Sequence, residues 1–403
     1  MAKGQKKLLL VCGVLDGVSR FRLLNLAHTA RNMKYDVYLK TRDMDFRKYD
    51  CDVLDYDFYL KEHRFRSRWS IFCGKLFRSL INIAFHIDYQ YNYWRKESSS
   101  VIDFINKNKI ERVFISGPPF SPFTLVSKIS KETSAEVILD LRDGFYLHPY
   151  VKTSFLDAKL ERSCFELAKA IIVTAPSTFN LYTKRYPDLK NKFYRVNNGF
   201  DEKYLKCAFK EKVITDKIEI VFAGTIYDFD VFEKFVSALS SAKNKDAYRV
   251  TVIGSNNVDK TEEILSKYGL DYRNLPRMPY SRVIEIYKTS AMFLLFLKSP
   301  KYVKSYQILA KVYEVLYLNK PILYLGPLKD SYELVRDYSN DFFALDTDAK
   351  DCDYDVLTNY LDDFASKSRF NDKFVISSKL NRDYLKEYNR QSLSKKIISI
   401  IEE

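Results

Sequence analysis

The sequence predicts an α/β protein built from two doubly wound, Rossmann-like domains that face a central cleft. The chain has 403 residues, which is long for one hydrophobic core, so two domains are expected. Short apolar runs alternate with stretches of helical spacing, a pattern typical of parallel strands covered by helices on both faces. The pattern stops in the charged segment 203–217 and then starts again, which indicates a domain junction there.

Short, mostly apolar runs mark the predicted strands of both halves. Those of the first half cover 8–11, 36–39, 113–115, 136–139 and 170–174. Those of the second half cover 218–224, 248–253, 291–297 and 321–325. Helical spacing of apolar residues predicts helices at 231–243 and 259–268 in the second half.

These elements divide the chain into a first domain at 1–205, a second domain at 206–377 and a tail at 378–403. The tail has helical spacing that a step of five residues between Tyr388 and Leu393 interrupts. A helix with a bend or pause at that step is therefore expected. We expect this helix to pack back across the junction onto the first domain.

Composition limits the function classes. The formal net charge of +14 attracts anions, so nucleic acid, an anionic membrane face and phosphorylated substrates are candidate partners. The six cysteines are scattered without a CxxC pair, so neither a zinc site nor a disulfide framework is indicated. They are expected to be reduced thiols of a cytosolic protein. No apolar stretch approaches the ~20 residues that a membrane span requires.

The first loop that follows a predicted strand is a candidate anion site. Gly17 lets the backbone approach a ligand closely, and the helix that opens there favours a negative charge at its amino terminus. Arg20 adds a positive charge at the mouth of this loop. The spacing is not GxGxxG, so the fingerprint of a dinucleotide cofactor is absent. An ordinary strand-to-helix turn with a surface arginine is the alternative interpretation.

Two further loops of the first half lie at the expected cleft edge, because ligands of open α/β sheets bind at the carboxyl ends of the strands. The segment Asp140-Leu-Arg142-Asp143 follows a predicted strand, and its charges could position a polar acceptor. The alternative is a buried Asp–Arg ion pair that orders the loop. Asn198-Gly199 predicts a turn with positive φ that lines the cleft, forms a hinge or is a simple loop.

The second half offers a donor site for a phosphorylated ligand. Gly224 and Thr225 end a predicted strand, where backbone N–H groups can cradle a diphosphate. Lys311 and Glu314 are one helical turn apart and share a face. The ammonium suits a phosphate and the carboxylate suits ribose hydroxyls. A surface ion pair is the alternative for this spacing.

Five segments in order resemble glycosyltransferase family 4 and its close relatives of the bacterial surface-polysaccharide type. They are SGPPFSPF at 116–123, DLRDGFY at 140–146, NNGFD at 197–201, FAGTIY at 222–227 and KVYEVLYLNKPIL at 311–323. The resemblance implies the GT-B fold, retention of anomeric configuration, no metal or other cofactor, and a UDP-, GDP- or similar sugar as donor. It also implies a glycan or lipid-linked acceptor.

The sequence departs from the family pattern at several points, one of which is Gly144-Phe145 in place of PW after RD. Where the family often has Arg and Lys against the diphosphate, this chain has the acidic segment 228–230, so Arg20, Lys298, Lys304 or Lys311 would have to substitute. The first glutamate of the family's E-x7-E pair is replaced by Tyr306, which leaves Glu314. The histidine after SxPPxS is replaced by Phe123. Donor binding by Glu314 is therefore better supported than the catalytic assignment of Asp143 and Arg142 on the acceptor side.

Several other features have two interpretations each. His148 contacts the acceptor or is a solvated loop histidine. The segment 61–96 predicts a basic amphipathic helix from about Arg68, which lies on an anionic membrane surface or packs on the domain. The pairs Asp43/Asp45 and Asp50/Asp52 imitate a DxD metal motif but sit in a polar segment, so a surface loop is expected.

The sequence therefore predicts a glycosyltransferase that moves a sugar from a nucleotide-sugar donor to a glycan or lipid-linked acceptor. It is expected in the cytoplasm, with a peripheral position on the inner face of the cell membrane as one possibility. A sugar-nucleotide epimerase of the same fold would need several histidines at the sugar, and the chain has four in all. A basic nucleic-acid-binding protein would need a recognisable reader motif, and none is found, so no nucleic acid is expected as partner.

Overall fold

The predicted α/β architecture is confirmed. A computed structural model describes residues 6–15, 17–43, 88, 90–371, 373–379 and 381–403 of the chain. Within these residues two six-stranded parallel sheets follow one another, and a small antiparallel sheet accompanies the second. Each large sheet is covered by helices on both faces, as expected for strands that are apolar throughout.

The first sheet has the strand order β2-β1-β3-β4-β5-β6. Its strands are β1 Lys7–Val14, β2 Asp36–Asp43, β3 Arg112–Gly117, β4 Glu136–Leu141, β5 Ala170–Val173 and β6 Phe193–Arg195. The helices of this part are α1 Gly17–Asn32, α2 Tyr91–Asn108, α3 Val126–Glu132, α4 Phe155–Leu167 and α5 Pro176–Arg185. Two 3₁₀ helices, Ser121–Leu125 and Pro187–Lys192, join them.

A short connection leads from the first sheet to the second. It contains helix α6 Glu202–Leu205 and strand β7 Lys212–Thr215, so the charged segment predicted as a junction has secondary structure of its own. Strand β7 pairs with β15 Lys373–Ser377, which also pairs with β14 Arg369–Phe370. This small sheet brings residues near both ends of the second domain together.

The second sheet repeats the pattern with the order β10-β9-β8-β11-β12-β13. Its strands are β8 Ile218–Ala223, β9 Tyr248–Ile253, β10 Tyr272–Leu275, β11 Met292–Phe296, β12 Ile322–Leu325 and β13 Phe342–Leu345. The helices are α7 Phe229–Ser241, α8 Val258–Lys267, α9 Tyr280–Thr289, α10 Ala310–Leu318, α11 Asp330–Tyr338 and α12 Asp355–Ser368, with a 3₁₀ turn at Lys245–Ala247. The strand order reverses between β8 and β11, which is where open α/β sheets bind ligands.

The carboxyl-terminal tail forms two helices, α13 Arg382–Tyr388 and α14 Arg390–Glu402, separated at Asn389. The expected pause after Tyr388 is confirmed. Helix α14 packs on α1, with Ile397 and Ile401 in the same apolar cluster as strand β1 of the first sheet. The tail thus leaves the second domain and ends against the first.

The expectation of a positive φ at Asn198-Gly199 is wrong. Neither residue is among the described positions with positive φ. Glycine is needed there for another reason, since a Cβ on Gly199 would overlap the carbonyl oxygen of Tyr388. The backbone of Phe200 donates to that oxygen at 3.1 Å and accepts from the N–H of Arg390 at 2.9 Å. The segment therefore crosses the pause between α13 and α14.

Some predictions fall outside the described residues. They are the predicted amphipathic helix that starts at about Arg68, and the aspartates Asp45, Asp50 and Asp52. Two neighbouring parts are described: Asp43 ends strand β2, and residues 91–96 begin helix α2. Among the described cysteines, Cys12, Cys164, Cys207 and Cys352 are free thiols. No helix in the described ranges has both the length and the apolar character that a membrane crossing needs.

Candidate functional site

The loops that follow the strands of the two large sheets meet across a cleft. After β4, Asp143 accepts a hydrogen bond from the Gln307 side chain at 2.7 Å, and the Tyr150 hydroxyl donates to the Lys298 carbonyl at 2.8 Å. At the start of α5, the Ser177 hydroxyl donates to Asp330 at 2.8 Å. The segment between β11 and α10 therefore lies directly against the first domain, and both carboxyl edges line one cleft.

A buried ion pair organises the first-domain edge. The Arg22 guanidinium on α1 donates to the Asp140 carboxylate on β4, with the shortest bond at 2.8 Å, and both side chains are buried. The Ser116 hydroxyl donates to the same carboxylate at 2.8 Å. Arg22 also donates to the carbonyl oxygens of Val196 and Asn197. One pair thus holds together α1, β3, β4 and the segment after β6.

This pair corrects the interpretation of the DLRD segment as an internal Asp–Arg ion pair. Asp140 has its partner on α1, 118 residues away in the sequence. The Arg142 guanidinium instead donates to the Pro118 carbonyl oxygen. The backbone carbonyl of Arg142 accepts a hydrogen bond from the Thr174 hydroxyl at 2.8 Å. Burial lowers the pKa of Arg142. Arg142 therefore holds neighbouring loops together and leaves Asp143 to face the cleft.

Asp143 and His148 form an acidic–basic pair at this edge. Burial raises the pKa of Asp143, while Arg142 and His148 oppose that shift. Burial lowers the pKa of His148, and Asp143 opposes that shift in turn. His148 Nδ1 accepts the backbone N–H groups of Tyr150 and Val151 at 3.2 and 3.1 Å, so neutral His148 carries its proton on Nε2. His148 is half-buried and tied to its loop rather than freely solvated.

Lys311 lies at the end of strand β8, beside Gly224. Gly224 has φ +123°, and a Cβ built on it would lie 3.2 Å from Lys311 Nζ. The ammonium also lies 3.8 Å from the centroid of the buried Phe222 ring. Burial lowers the pKa of Lys311 to about 7, and only Glu314 opposes that shift. A desolvated amine therefore lies beside Gly224 at the point where the strand order reverses.

Glu314 lies one turn further along α10 and is buried. Its nearest cation is Arg390, with Nη2 3.8 Å from the carboxylate Oε1. Burial raises the pKa of Glu314, whereas Arg390, Tyr280 and Lys311 lower it. The surface ion pair considered for Lys311 and Glu314 is wrong, because neither side chain is exposed. The carboxylate is held in a protein-lined position beside the amine.

The acidic segment after FAGTIY caps a helix. The Asp228 carboxylate accepts the backbone N–H groups of Asp230 and Val231 at 3.2 Å each, at the amino terminus of α7. A carboxylate thus already satisfies the positive end of this helix. An incoming diphosphate at this edge would depend on Lys311 and the backbone near Gly224 and Thr225 rather than on free N–H groups of α7.

The remaining predicted residues lie around the first-domain edge. Gly17 opens α1 with φ +52° and has open space where a Cβ would be. Arg20 lines a groove of about 740 Å³ between α1 and the segment 201–206. The side-chain oxygen of Asn198, Oδ1, is buried and has no hydrogen-bond partner among the described residues. These positions stay predictions as ligand contacts.

Two positions that differ from the family pattern have structural roles. Phe123 is fully buried and packs edge-on against Phe120 at 5.3 Å between ring centroids, so this position is part of the core. The backbone N–H of Tyr306 donates to the Ser177 hydroxyl oxygen at 2.9 Å across the cleft. Among the described residues, no group of three or more His, Cys, Asp or Glu side chains is placed to hold a metal ion.

Comparison with known proteins identifies the fold. No family model and no curated protein matches the chain. Sucrose-phosphate synthase from Thermosynechococcus elongatus superimposes with a TM-score of 0.67 at 11% identity, covering 99% of this chain and 98% of that chain. Anabaena Alr3699/HepE, solved in complex with UDP and glucose, gives 0.62 at 10% identity over 98% and 99%. UDP-GlcNAc 2-epimerase from Neisseria meningitidis, bound to UDP-GlcNAc, gives 0.54 at 12% identity over 98% and 99%.

Identities this low show a shared fold alone. The two sheets and their shared cleft match the GT-B architecture of these proteins, so the predicted GT-B fold is confirmed. The activity, the donor and the acceptor have to be inferred from the residues of the site, because a fold alone does not determine function.

The two aspartates of the DLRD segment are expected to differ in their effect on stability. Asp140→Asn removes the charge from a buried pair and should lower the free energy of unfolding by ~3–5 kcal/mol. Asp143→Asn should change it by less, because the amide oxygen of asparagine still accepts the hydrogen bond from Gln307 and burial already raises the pKa of Asp143. Urea unfolding of both variants measures the difference. Equal losses of stability would refute the organising role of the Arg22–Asp140 pair.

Proposed function

We propose that the protein is a glycosyltransferase that transfers a sugar from a nucleotide-sugar donor to a glycan or lipid-linked acceptor. The observation that carries the proposal is the position of Lys311 and Glu314 at the reversal point of the second sheet, with Lys311 beside Gly224. An amine next to a carboxylate suits the two polar parts of such a donor, its diphosphate and its ribose. Asp143 and Arg142 lie across the cleft on the acceptor side.

The donor diphosphate is assigned to Lys311 and the backbone at Gly224 and Thr225. The missing Cβ at Gly224 makes room for the Lys311 amine, whose Nζ would lie 3.2 Å from such a Cβ, so Lys311 is held at this strand end. The Lys311 amine is desolvated, so its attraction to a diphosphate is stronger than in water. Gly17 and Arg20, at the opening of α1, are assigned to the same ligand from the first domain.

Glu314 is assigned to the ribose. A buried carboxylate accepts hydrogen bonds from the two ribose hydroxyls, and Arg390 opposes the rise in the pKa of Glu314 that burial causes. The donor is therefore expected to be a ribonucleotide sugar such as a UDP- or GDP-sugar. Two structural neighbours were solved with UDP and glucose or with UDP-GlcNAc bound, which supports a nucleotide of this class.

The chemical step follows from the charges in the cleft. In a reaction with retention, the leaving diphosphate itself takes the proton of the acceptor hydroxyl while the bond to the sugar breaks. Lys311 and the backbone N–H groups stabilise the charge that develops on the diphosphate, and this electrostatic contribution supplies most of the rate. Asp143 orients the acceptor hydroxyl. No dedicated base and no metal are assigned.

The acceptor is proposed to be a growing surface glycan or its lipid-linked precursor, reached from the cytoplasmic side of the membrane. The net charge of +14 supports contact with an anionic surface. The basic segment 61–96 supports the same contact from its composition.

A panel of UDP-, GDP-, CMP- and dTDP-sugars tests the donor assignment. We expect thermal stabilisation and slow hydrolysis with one ribonucleotide sugar, and Glu314→Ala should weaken its binding by about 10- to 100-fold because a charged hydrogen-bond acceptor is lost. Glu285→Ala, on the exposed face of α9, is the matched control and should bind like the wild type. Undiminished binding by Glu314→Ala refutes the role of Glu314, and an epimerised nucleotide sugar as product would favour an epimerase.

The lowered pKa of Lys311 predicts that the protein takes up a proton when the donor binds. The amine has a pKa of about 7 in the free protein, and a bound diphosphate raises that pKa. Affinity should therefore be constant below pH 7 and fall as the pH rises above 7. Calorimetry at pH 8 in two buffers with different ionisation enthalpies should report an uptake of nearly one proton.

Lys311→Met should bind the donor more weakly, without proton uptake and without this pH dependence. Lys288→Met is the control, since Lys288 is a partly exposed lysine that pairs with Glu285 on α9, and it should keep both. Proton uptake that persists in Lys311→Met would show that another group binds the diphosphate.

A further inference from the structure

A second buried carboxylate lies behind the acceptor edge, outside the cleft. Glu161 on α4 is fully buried. Among the described residues, no Lys or Arg nitrogen lies within 4 Å of it to form an ion pair. A buried charge without an ion pair is costly, and an apolar side chain of similar volume would usually be at least as stable. The hydrogen bonds that Glu161 accepts therefore indicate its role.

Glu161 accepts three hydrogen bonds. The backbone N–H of Tyr146 donates to Oε2 at 2.7 Å, the Tyr182 hydroxyl donates to the same atom at 2.7 Å, and the Tyr186 hydroxyl donates to Oε1 at 2.8 Å. The Tyr182 hydroxyl oxygen in turn accepts the backbone N–H of Phe145 at 2.8 Å. Two successive backbone N–H groups are thus held by one carboxylate and one phenol.

These two N–H groups belong to the turn that carries Asp143 and His148. Gly144 makes this turn tight, because a Cβ there would overlap the carbonyl oxygen of Leu147. The Tyr146 carbonyl accepts from the Thr153 hydroxyl at 2.8 Å, so the turn is held on both sides of Tyr146. The placement of Asp143 and His148 therefore depends on contacts made below the turn.

We infer that Glu161 is a positioning residue for the acceptor edge: its carboxylate fixes the turn 143–148 from beneath and so sets the orientation of Asp143 and His148. Glu161 does not reach the cleft and touches no reacting atom. The geometric part of the inference stands without the proposed function, whereas its effect on catalysis rests on Asp143 meeting an acceptor.

The charge of Glu161 connects this arrangement to pH. Burial raises the pKa of Glu161 to about 7, and the bonds from Tyr182, Tyr146 and Tyr186 together with the charge of Arg185 oppose that shift. Burial and, to a smaller extent, the charge of Glu161 raise the pKa of the Cys164 thiol on the same helix. Above pH 7 the ionised group accepts all three bonds. Below pH 7 the bound proton lets Oε1 donate to the Tyr186 hydroxyl oxygen, while Oε2 still accepts the backbone N–H of Tyr146.

His148 provides a readout that needs no substrate. It is one of four histidines in the chain, so its ring signals can be followed by NMR in the full-length protein. Burial in the fixed turn lowers its pKa in the wild type. In Glu161→Leu, the released turn should let the pKa of His148 move toward the ~6.5 of a solvated histidine. Glu161→Gln keeps an acceptor for Tyr146 and should retain most of the wild-type value.

Glu166→Gln is the matched control, since Glu166 lies on the same helix with half of its side chain exposed. It should leave the His148 titration unchanged. Nucleotide-sugar binding to the second domain should stay within about twofold of the wild type in all three variants, while hydrolysis by Glu161→Leu falls at least about tenfold, a loss that needs ~1.4 kcal/mol.

An unchanged His148 titration in folded Glu161→Leu would overturn the inference. So would a loss of donor binding equal to the loss of hydrolysis, because that would mark a general structural defect. Failure of the proposed function has a different signature, namely a shifted His148 titration in a protein that binds and hydrolyses no nucleotide sugar.

Discussion

The buried Arg22–Asp140 pair is the interaction on which the first-domain edge depends. Its partners come from α1 and β4, and its remaining hydrogen bonds reach β3 and the segment after β6. Because the carboxylate is fully enclosed, its negative charge is tolerated only while Arg22 remains in place. The contact therefore links helix α1, which begins at Gly17, to strand β4 and to the segment that leads to Asn198.

Two kinds of buried charge occur in the molecule, and they divide by function. Asp140 and Arg22 neutralise each other with short bonds, and they order the structure. Lys311 and Glu314 are enclosed without a short ion pair, since the nearest cation to Glu314 lies 3.8 Å away and the Lys311 ammonium faces an aromatic ring. A polar ligand would stabilise charges in this state, which supports the proposed donor site.

The sequence predicts the interior of both sheets well and their edges poorly. Strands β1, β3, β8 and β9 are buried on both faces, so their apolar runs are recognisable. Strands β10 and β13 are only four residues long and partly buried. Their sequences therefore show no alternation of apolar and polar residues that would distinguish them from a loop. The charge-rich β7 was hidden for the same reason. Gly199 has a signal in the sequence, but its cause, the approach of Tyr388, is a long-range contact.

The site shows the same division. Short motifs single out Gly224, Lys311 and Glu314 in the sequence, and the structure has Lys311 beside Gly224. Arg22 was missed because its partner is distant in the sequence, although an aspartate in the middle of an apolar strand is a signal that a buried cation must exist nearby. Glu161 carries no motif at all. Its role depends on a turn 15 residues away from it, which only the folded chain shows.

A crystal structure of the protein with UDP bound tests the central claim most directly. The account predicts the diphosphate within hydrogen-bonding distance of Lys311 Nζ and the backbone at Gly224 and Thr225, with the ribose hydroxyls on Glu314. A nucleotide bound at the carboxyl edge of the first sheet, with Lys311 and Glu314 untouched, would contradict it.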